Sequence, residues 1–267
     1  MIAIELDDVS RSFEAPDGGS YSALDHVSFA VPQGSFAAIV GPSGCGKSTL
    51  LNLVAGLLAP SSGRILVAGE ELSGLNRRAT YMFQEDALLP WKDVRENVAL
   101  GLTLAGVTRQ AAHRRADEWL VRVGLAEFAG HFPAQLSGGM RKRVTMAQNW
   151  IIDREILLMD EPFSALDIHT RQRMETELLA LWEASRKTVV FVTHDLEEAI
   201  ALSDEVVVLS AGPSSRVVSR HAVALDRPRD LLDLRTQPAF VELYRSIWTG
   251  LRQEVIKSQR GAGAQRG

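Results

Sequence analysis

The chain has 267 residues, 46% of them hydrophobic, 23% charged and 6% aromatic, enough for one large or two small domains with a buried core. Its 29 basic and 33 acidic side chains leave a net charge of −4, so no overall field draws it to nucleic acid or to an anionic membrane. The single cysteine, Cys45, excludes an internal disulfide and a cysteine-ligated zinc site and suits a reduced, cytosolic protein.

In chain order, the opening MIAIELDDVS carries acids at once and no basic leader, so it does not read as a signal peptide. Ile2 to Leu6 alternates like an edge strand. Ser35 to Val40 is an apolar run that ends at Gly41, as a buried strand meeting a glycine loop does. Ser48 to Leu58 has helical spacing and stops before Pro60, and Ile65 to Ala68 is a further strand. From about Leu88 to Asp153 the pattern turns helical, which marks a helical insertion. The longest membrane candidate there, Val98 to Val107, falls far short of the ~18 apolar residues a spanning helix needs. Ile156 to Met159, Val189 to Thr193 and Val206 to Leu209 are short apolar runs with polar ends, as in central parallel strands. Strands alternating with helices indicate an α/β domain with a mainly parallel sheet. Near the end, Phe240, Leu243, Tyr244, Ile247, Trp248, Leu251 and Val255 share one helical face, expected to pack back on the body. The final SQRGAGAQRG is too polar and glycine-rich to fold and is expected to be disordered.

Gly41-Pro42-Ser43-Gly44-Cys45-Gly46-Lys47-Ser48-Thr49 fits the spacing of a phosphate-binding loop between a strand and a helix. Its glycines let the backbone curl so that successive N–H groups point at phosphate oxygens, and the helix beginning near Lys47 adds its positive end. Lys47 is placed to reach the β- and γ-phosphates and Ser48 to ligate Mg²⁺. Alone, this loop does not separate a GTPase, a kinase and an ATPase. Cys45 reads as a small filler, although a thiol beside phosphate would make nucleotide binding sensitive to alkylation.

Ile156-Leu-Leu-Met-Asp160-Glu161 is an apolar strand that ends in two acids, which is unfavourable unless a cation or a reaction uses them. Asp160 could hold Mg²⁺ through its water shell, and Glu161 could polarise an attacking water. Leu136-Ser137-Gly138-Gly139-Met140 opens a helix expected over Arg141 to Ile151, with Ser137 as N-cap and glycines that bare the N–H groups. It is a second phosphate-type helix end, distinct from the first. Gln84 ends the strand-like Tyr81-Met-Phe, and His194 ends the strand Val189 to Thr193. Ligands of open α/β sheets lie beyond the carboxyl ends of the strands, so Gly41, Asp160 and His194 should converge.

This ordered set, with Ser164-Ala-Leu-Asp167 after the acids, resembles the nucleotide-binding subunit of an ABC transporter, from about Ile2 to Leu225. The resemblance implies a phosphate-loop NTPase core with a mainly parallel sheet, an N-terminal antiparallel β portion and an inserted α-helical subdomain. Its divisions would be 1–84 and 156–225 for the two parts of the core, 85–155 for the helical subdomain and 226–267 for a helical tail. It implies an ATPase that uses ATP and Mg²⁺ in a head-to-tail dimer. Each ATP would lie between one copy's phosphate loop and the other's Ser137-Gly138-Gly139. By position, Phe13 would stack on adenine where tyrosine is usual, with Tyr21 and a plain core role for Phe13 as alternatives. Gln84 would contact Mg²⁺ and the attacking water, Asp167 would shape the dimer interface and His194 would hold the γ-phosphate. Met140 stands where glutamine is most usual, and Lys142 and Ala147-Gln148-Asn149 also depart from the commoner pattern.

Ala87-Leu88-Leu89-Pro90-Trp91 and Arg227-Pro228-Arg229-Asp230 resemble the nitrate, sulfonate and taurine import branch. That branch implies a separate transmembrane permease, a periplasmic or lipid-anchored solute-binding protein, and a place on the cytoplasmic face of the bacterial inner membrane. Leu88, Leu89 and Trp91 could line a groove for a permease helix, with Trp91 as buried core of the helical part the alternative. The stretch after Leu225 is expected to hold no large sensor domain. Alternatives are the ATPase of another importer or an exporter, a non-transport ABC ATPase, or an ATP-binding regulatory subunit without turnover.

Overall fold

The architecture follows from which strands bury both faces and which bury one. The computed structural model describes residues 1–14 and 18–264. It opens with β1 (Ile2–Glu14) and β2 (Ser20–Pro32), a long antiparallel pair. There follow β3 (Phe36–Val40), α1 (Lys47–Val54), β4 (Ser62–Val67), β5 (Glu70–Glu71) and β6 (Ala79–Met82). The helical part holds α2 (Val94–Leu104), α3 (Arg109–Arg122), two 3-10 turns and α4 (Gly138–Trp150). The chain then runs through β7 (Ile156–Asp160), α5 (Ile168–Ser185), β8 (Thr188–Val192), α6 (Leu196–Leu202), β9 (Glu205–Leu209), β10 (Val217–Ala222), α7 (Leu231–Leu234) and α8 (Pro238–Ala264).

Strands β2-β1-β4-β5 form one antiparallel sheet, and β10-β9-β3-β8-β7-β6 form the other. Within the second sheet β9, β3, β8, β7 and β6 are all parallel, and only β10 runs against its neighbour. The parallel strands read as unbroken apolar runs because both their faces are covered. Phe36, Ala38, Val40, Leu157, Met159, Val189 and Phe191 pack with Met174, Leu178 and Trp182 of α5 and with Phe240, Ile247 and Leu251 of α8. The alternate residues Ala37, Ile39, Leu158, Val190 and Val192 face α1 and the inner side of the antiparallel sheet. A third core joins α2, α3 and α4 through Val98, Leu102, Ala116, Leu120 and Val144. This is the α/β arrangement expected, with the antiparallel sheet and the helical part in their expected places.

Several elements differ from expectation. The strand expected over Ile2 to Leu6 runs on to Glu14 and lies inside its sheet, between β2 and β4, rather than at an edge. Irregular register between Leu6 and Val9 breaks its alternation, so the pattern fades in the sequence while pairing continues. Helix α1 ends at Val54, short of Leu58, because Gly56 turns left-handed at φ +70°, where a Cβ would sit 1.8 Å from Gly74 O. Helix α4 starts at Gly138, ahead of the expected Arg141, with Ser137 Oγ accepting from Met140 N at 3.3 Å. Strands β2, β5 and β10 were not among the expected elements. Helix α8 packs back on the body through Phe240, Ile247 and Leu251, while Trp248 stays exposed. It runs to Ala264, into the stretch expected to lack structure, and 265–267 lie outside the described residues. Among the described residues no helix is long and apolar enough to cross a membrane.

Candidate functional site

Parallel strands release their chains at one edge of the sheet, and the candidate residues gather there. The end of β3 leads through Gly41 into the loop and α1. Register pairs Asp160 of β7 with Val192 of β8, so the Asp160–Glu161 and Thr193–His194 steps leave the sheet side by side. Gly46 precedes α1 in a left-handed conformation, φ +90°, and a Cβ there would come 2.9 Å from Leu24 Cδ2. Gly41 lies so close to the loop that a Cβ would meet Cys45 Sγ at 2.6 Å. Cys45 is buried and its thiol is pushed up by that burial, which leaves it an inert filler under the loop.

Lys47 is buried, and its ammonium donates to Gly41 O at 2.9 Å and Pro42 O at 3.1 Å. It stands 3.9 Å from Glu161 Oε1. Ser48 Oγ donates to Asp160 Oδ1 at 3.0 Å, and Tyr81 Oη donates to Oδ2 at 3.3 Å. Burial pushes the Asp160 carboxyl above its ordinary range, against the lowering effect of both hydroxyls. Glu161 has φ 42°, a strained left-handed backbone for a non-glycine residue, with its N–H bonded to Val192 O at 2.9 Å. Its Oε2 lies 2.9 Å from His194 Nδ1. Gln84 Nε2 donates to Ser164 Oγ at 3.3 Å, and Ser164 Oγ donates to Glu161 O at 3.0 Å. Tyr81 and Ser164 are partners that sequence reasoning missed. Tyr81 could have been found from its place on the strand next to Asp160.

A cavity of about 410 Å³ joins Phe13, Tyr21, Ser43, Gly44, Gly46, Lys47, Ser48, Thr49, Gln84 and Glu161. Phe13 and Tyr21 are direct cross-strand partners on its wall, and Arg11 lies 4.6 Å from the Phe13 ring centroid. Phe13 is half-buried on that wall, so a plain core role is not what it has.

Ser137, Gly138 and Gly139 lie elsewhere. With Met140, Arg143, Leu166, Asp167, Thr170 and Arg173 they line a second cavity of about 530 Å³ that shares no residue with the first. Asp167 caps α5 by accepting from Thr170 N at 3.1 Å, and the bonds from Thr170 hold its carboxyl below the usual range. A third hollow, of about 490 Å³, lies between β6, α2 and α4 and is lined by Phe83, Ala87, Leu100, Gly101, Leu104 and Gln148. Leu104 is 80% exposed on its rim. Of the expected groove residues, Leu88 is buried in the helical core, and Trp91, 71% exposed, neither lines this hollow nor is buried core of the helical part.

The fold and the loop define a phosphate-loop nucleotide-binding protein with an inserted helical part. A family model described as ABC transporter matches residues 24–164. The taurine import ATP-binding protein of Rhizobium johnstonii is 46% identical over 91% of this chain and 94% of its own length. The nitrate import ATP-binding protein of Synechococcus elongatus is 39% identical over 95% of this chain and 39% of its own. A dimeric bacterial ABC transporter cassette superposes with TM-score 0.72 at 32% identity, covering 84% of this chain and all of that one. The same cassette in a post-hydrolysis state with ADP and Pi gives 0.71. The chain belongs to the ABC transporter family and is an ABC-type ATPase that binds ATP.

Proposed function

We propose that the chain is the ATP-hydrolysing subunit of an importer for a small anionic solute of the nitrate, sulfonate or taurine kind. The observation that carries the mechanism is the separation of two phosphate-directed helix ends. The phosphate loop and the Ser137 segment line different cavities, so one chain alone completes no site. Two copies standing head to tail bring the loop of one to Ser137, Gly138 and Gly139 of the other, with Asp167 at the join. Relatives named for taurine and nitrate import support the import reading.

Within the site, Phe13 stacks on adenine, with Tyr21 beside it. Amides of the loop from Gly41 to Thr49 and the Lys47 ammonium hold the phosphates. The donor set suits Mg²⁺: Ser48, Gln84 and Asp160 offer hard oxygens, and a cation beside Asp160 offsets the cost of burying that carboxylate. Among the described residues no three His, Cys, Asp or Glu side chains group to hold a metal, so the cation would take the rest of its shell from phosphate and water. Bound there, Mg²⁺ would neutralise charge on the β- and γ-phosphates. Glu161 acts as general base on the attacking water. His194 Nδ1 orients that carboxylate and leaves Nε2 for the γ-phosphate. ATP closes the pair, and hydrolysis opens it.

A separate transmembrane permease reads that opening. The hollow next to the Gln84 segment, rimmed by Phe83 and Leu104 and lined also by Thr145, Asn149 and Arg154, is where a permease helix would sit. The subunit then sits on the cytoplasmic face of the inner membrane, and a periplasmic or lipid-anchored protein supplies the solute. Glu161→Gln tests the core of this reading. The variant is expected to bind ATP, to lose about 10²- to 10⁴-fold in turnover, and to accumulate as a dimer by analytical ultracentrifugation. A wild-type rate in that variant removes Glu161 as the base.

A further inference from the structure

Lys142 is 3% exposed although it lies just past the first turn of a helix whose start opens on a cavity. A buried ammonium is unfavourable unless oxygens surround it. The oxygens here come from the segment after β6. Lys142 Nζ donates to Gln84 O at 3.1 Å and pairs with Asp86 Oδ1 at 2.9 Å. Next to it, Arg141 donates through Nε to Asp86 Oδ2 at 3.2 Å and through Nη1 to Leu136 O at 2.8 Å. Two adjacent cations of α4 therefore grip residues 84–86. Helix α4 does not need that grip to form, since Ser137 caps it and Val144, Met146, Ala147 and Trp150 bury its inner side.

The grip completes a continuous path. Glu161 O accepts from Ser164 Oγ, which accepts from Gln84 Nε2, and Gln84 O accepts from Lys142 Nζ. One end of that path is the backbone carbonyl of Glu161, the residue whose carboxylate stands 3.9 Å from Lys47 of this chain's phosphate loop. The other is the helix start that faces the second cavity. We infer that Lys142 is a positioning residue that couples the two ATP sites of the head-to-tail pair, making Gln84, which serves this chain's own nucleotide, and Ser137–Gly139, which serve the partner's, move as one body. The inference rests on the proposed ATP-sandwich dimer. Gln84 is bonded to Ser164 here, and the second state the inference requires is its release toward nucleotide. A buried ion pair transmits that displacement more stiffly than a solvated one. Coupling between sites is reciprocal, so each ATP favours closure at the other.

The test is the ATP dependence of Mg²⁺-supported hydrolysis by the full chain. Wild type, Lys142→Met, which keeps the stem and removes the charge, and Lys142→Arg, which restores a cation, are compared. Lys142→Met is expected to bind a fluorescent ATP analogue within about twofold of wild type, to turn over about 2- to 30-fold more slowly, and to lose cooperativity. Its Hill coefficient is expected to fall from about 2 toward about 1, and Lys142→Arg to recover most of both. Wild-type turnover and cooperativity in Lys142→Met overturn the inference. Should Lys142→Met fail to fold, Asp86→Asn takes its place, with lost cooperativity supporting the coupling and full cooperativity overturning it. Wild-type hydrolysis with no cooperativity overturns this inference alone. A wild-type chain that hydrolyses no ATP overturns the proposed function and this inference with it.

Discussion

Lys47 and His194 contact the same carboxylate from opposite sides, and their substitutions should part binding from turnover. Lys47 Nζ is buried and held by two loop carbonyls, 3.9 Å from Glu161, so in the proposed site its charge would meet phosphate at little further ordering cost. Lys47→Ala is expected to weaken ATP binding about 10- to 100-fold by isothermal titration. Among the described residues the polar partner of the His194 ring is Glu161 Oε2, and the side chain is 52% exposed, so it contributes little to the fold. His194→Ala should keep the ATP affinity and thermal midpoint of the wild type and lose about 10²- to 10³-fold in turnover. A weakened affinity in His194→Ala would instead assign it to ground-state binding. Cys45, buried against Gly41, should resist alkylation in the folded chain.

At the scale of elements, α5 and α6 meet over two buried carboxylates. Glu175 of α5 is fully buried beside Arg235, with Arg171, Asp195 and Glu197 near it. Glu198 of α6 accepts from Thr193 Oγ1 at 2.6 Å and faces Glu175, Asp195 and Arg171. Burial, reinforced by the neighbouring acids, outweighs the arginines and the Thr193 hydroxyl and pushes both carboxyls up to about 7. The folded chain thus holds protons that the unfolded chain, with ordinary carboxyls, has lost. That contribution is fully present below the unfolded value and is lost as pH rises through the folded one. The unfolding midpoint is expected to fall by several degrees between about pH 5 and about pH 8. Glu175→Gln should flatten that slope, as followed by scanning calorimetry. An identical slope in the variant would place the pH dependence elsewhere.

At the scale of the whole molecule, the chain presents three separate surfaces: the phosphate loop, the Ser137–Asp167 face and the hollow between β6, α2 and α4. In the proposed function the first two meet across a pair of copies, and the third receives a membrane subunit. Leu104, 80% exposed on the rim of the hollow, is the residue that tests the proposed third role. Leu104→Asp is expected to leave the ATPase of the isolated chain unchanged. The same change should weaken capture of the co-expressed permease about 30-fold in detergent pull-downs. Undiminished capture would place the permease contact elsewhere.

The sequence by itself determined the chemistry that depends on local order. The glycine loop before Lys47, the acids that close the β7 run and the Ser137 cap are each written within a few neighbouring residues. The parallel strands were legible too, because burial on both faces demands unbroken apolar runs. What only the tertiary structure decided depends on residues far apart in the chain. The interior place of β1, the end of α1 at Gly56 against Gly74, the Tyr81 and Ser164 bonds around the acids and the burial of Lys142 against Gln84 all arise from long-range packing. A lysine's partners are set by where the backbone returns, and a sequence pattern records only which side of an element is apolar. For the same reason the division of the two phosphate-directed helix ends between separate cavities became visible only in three dimensions.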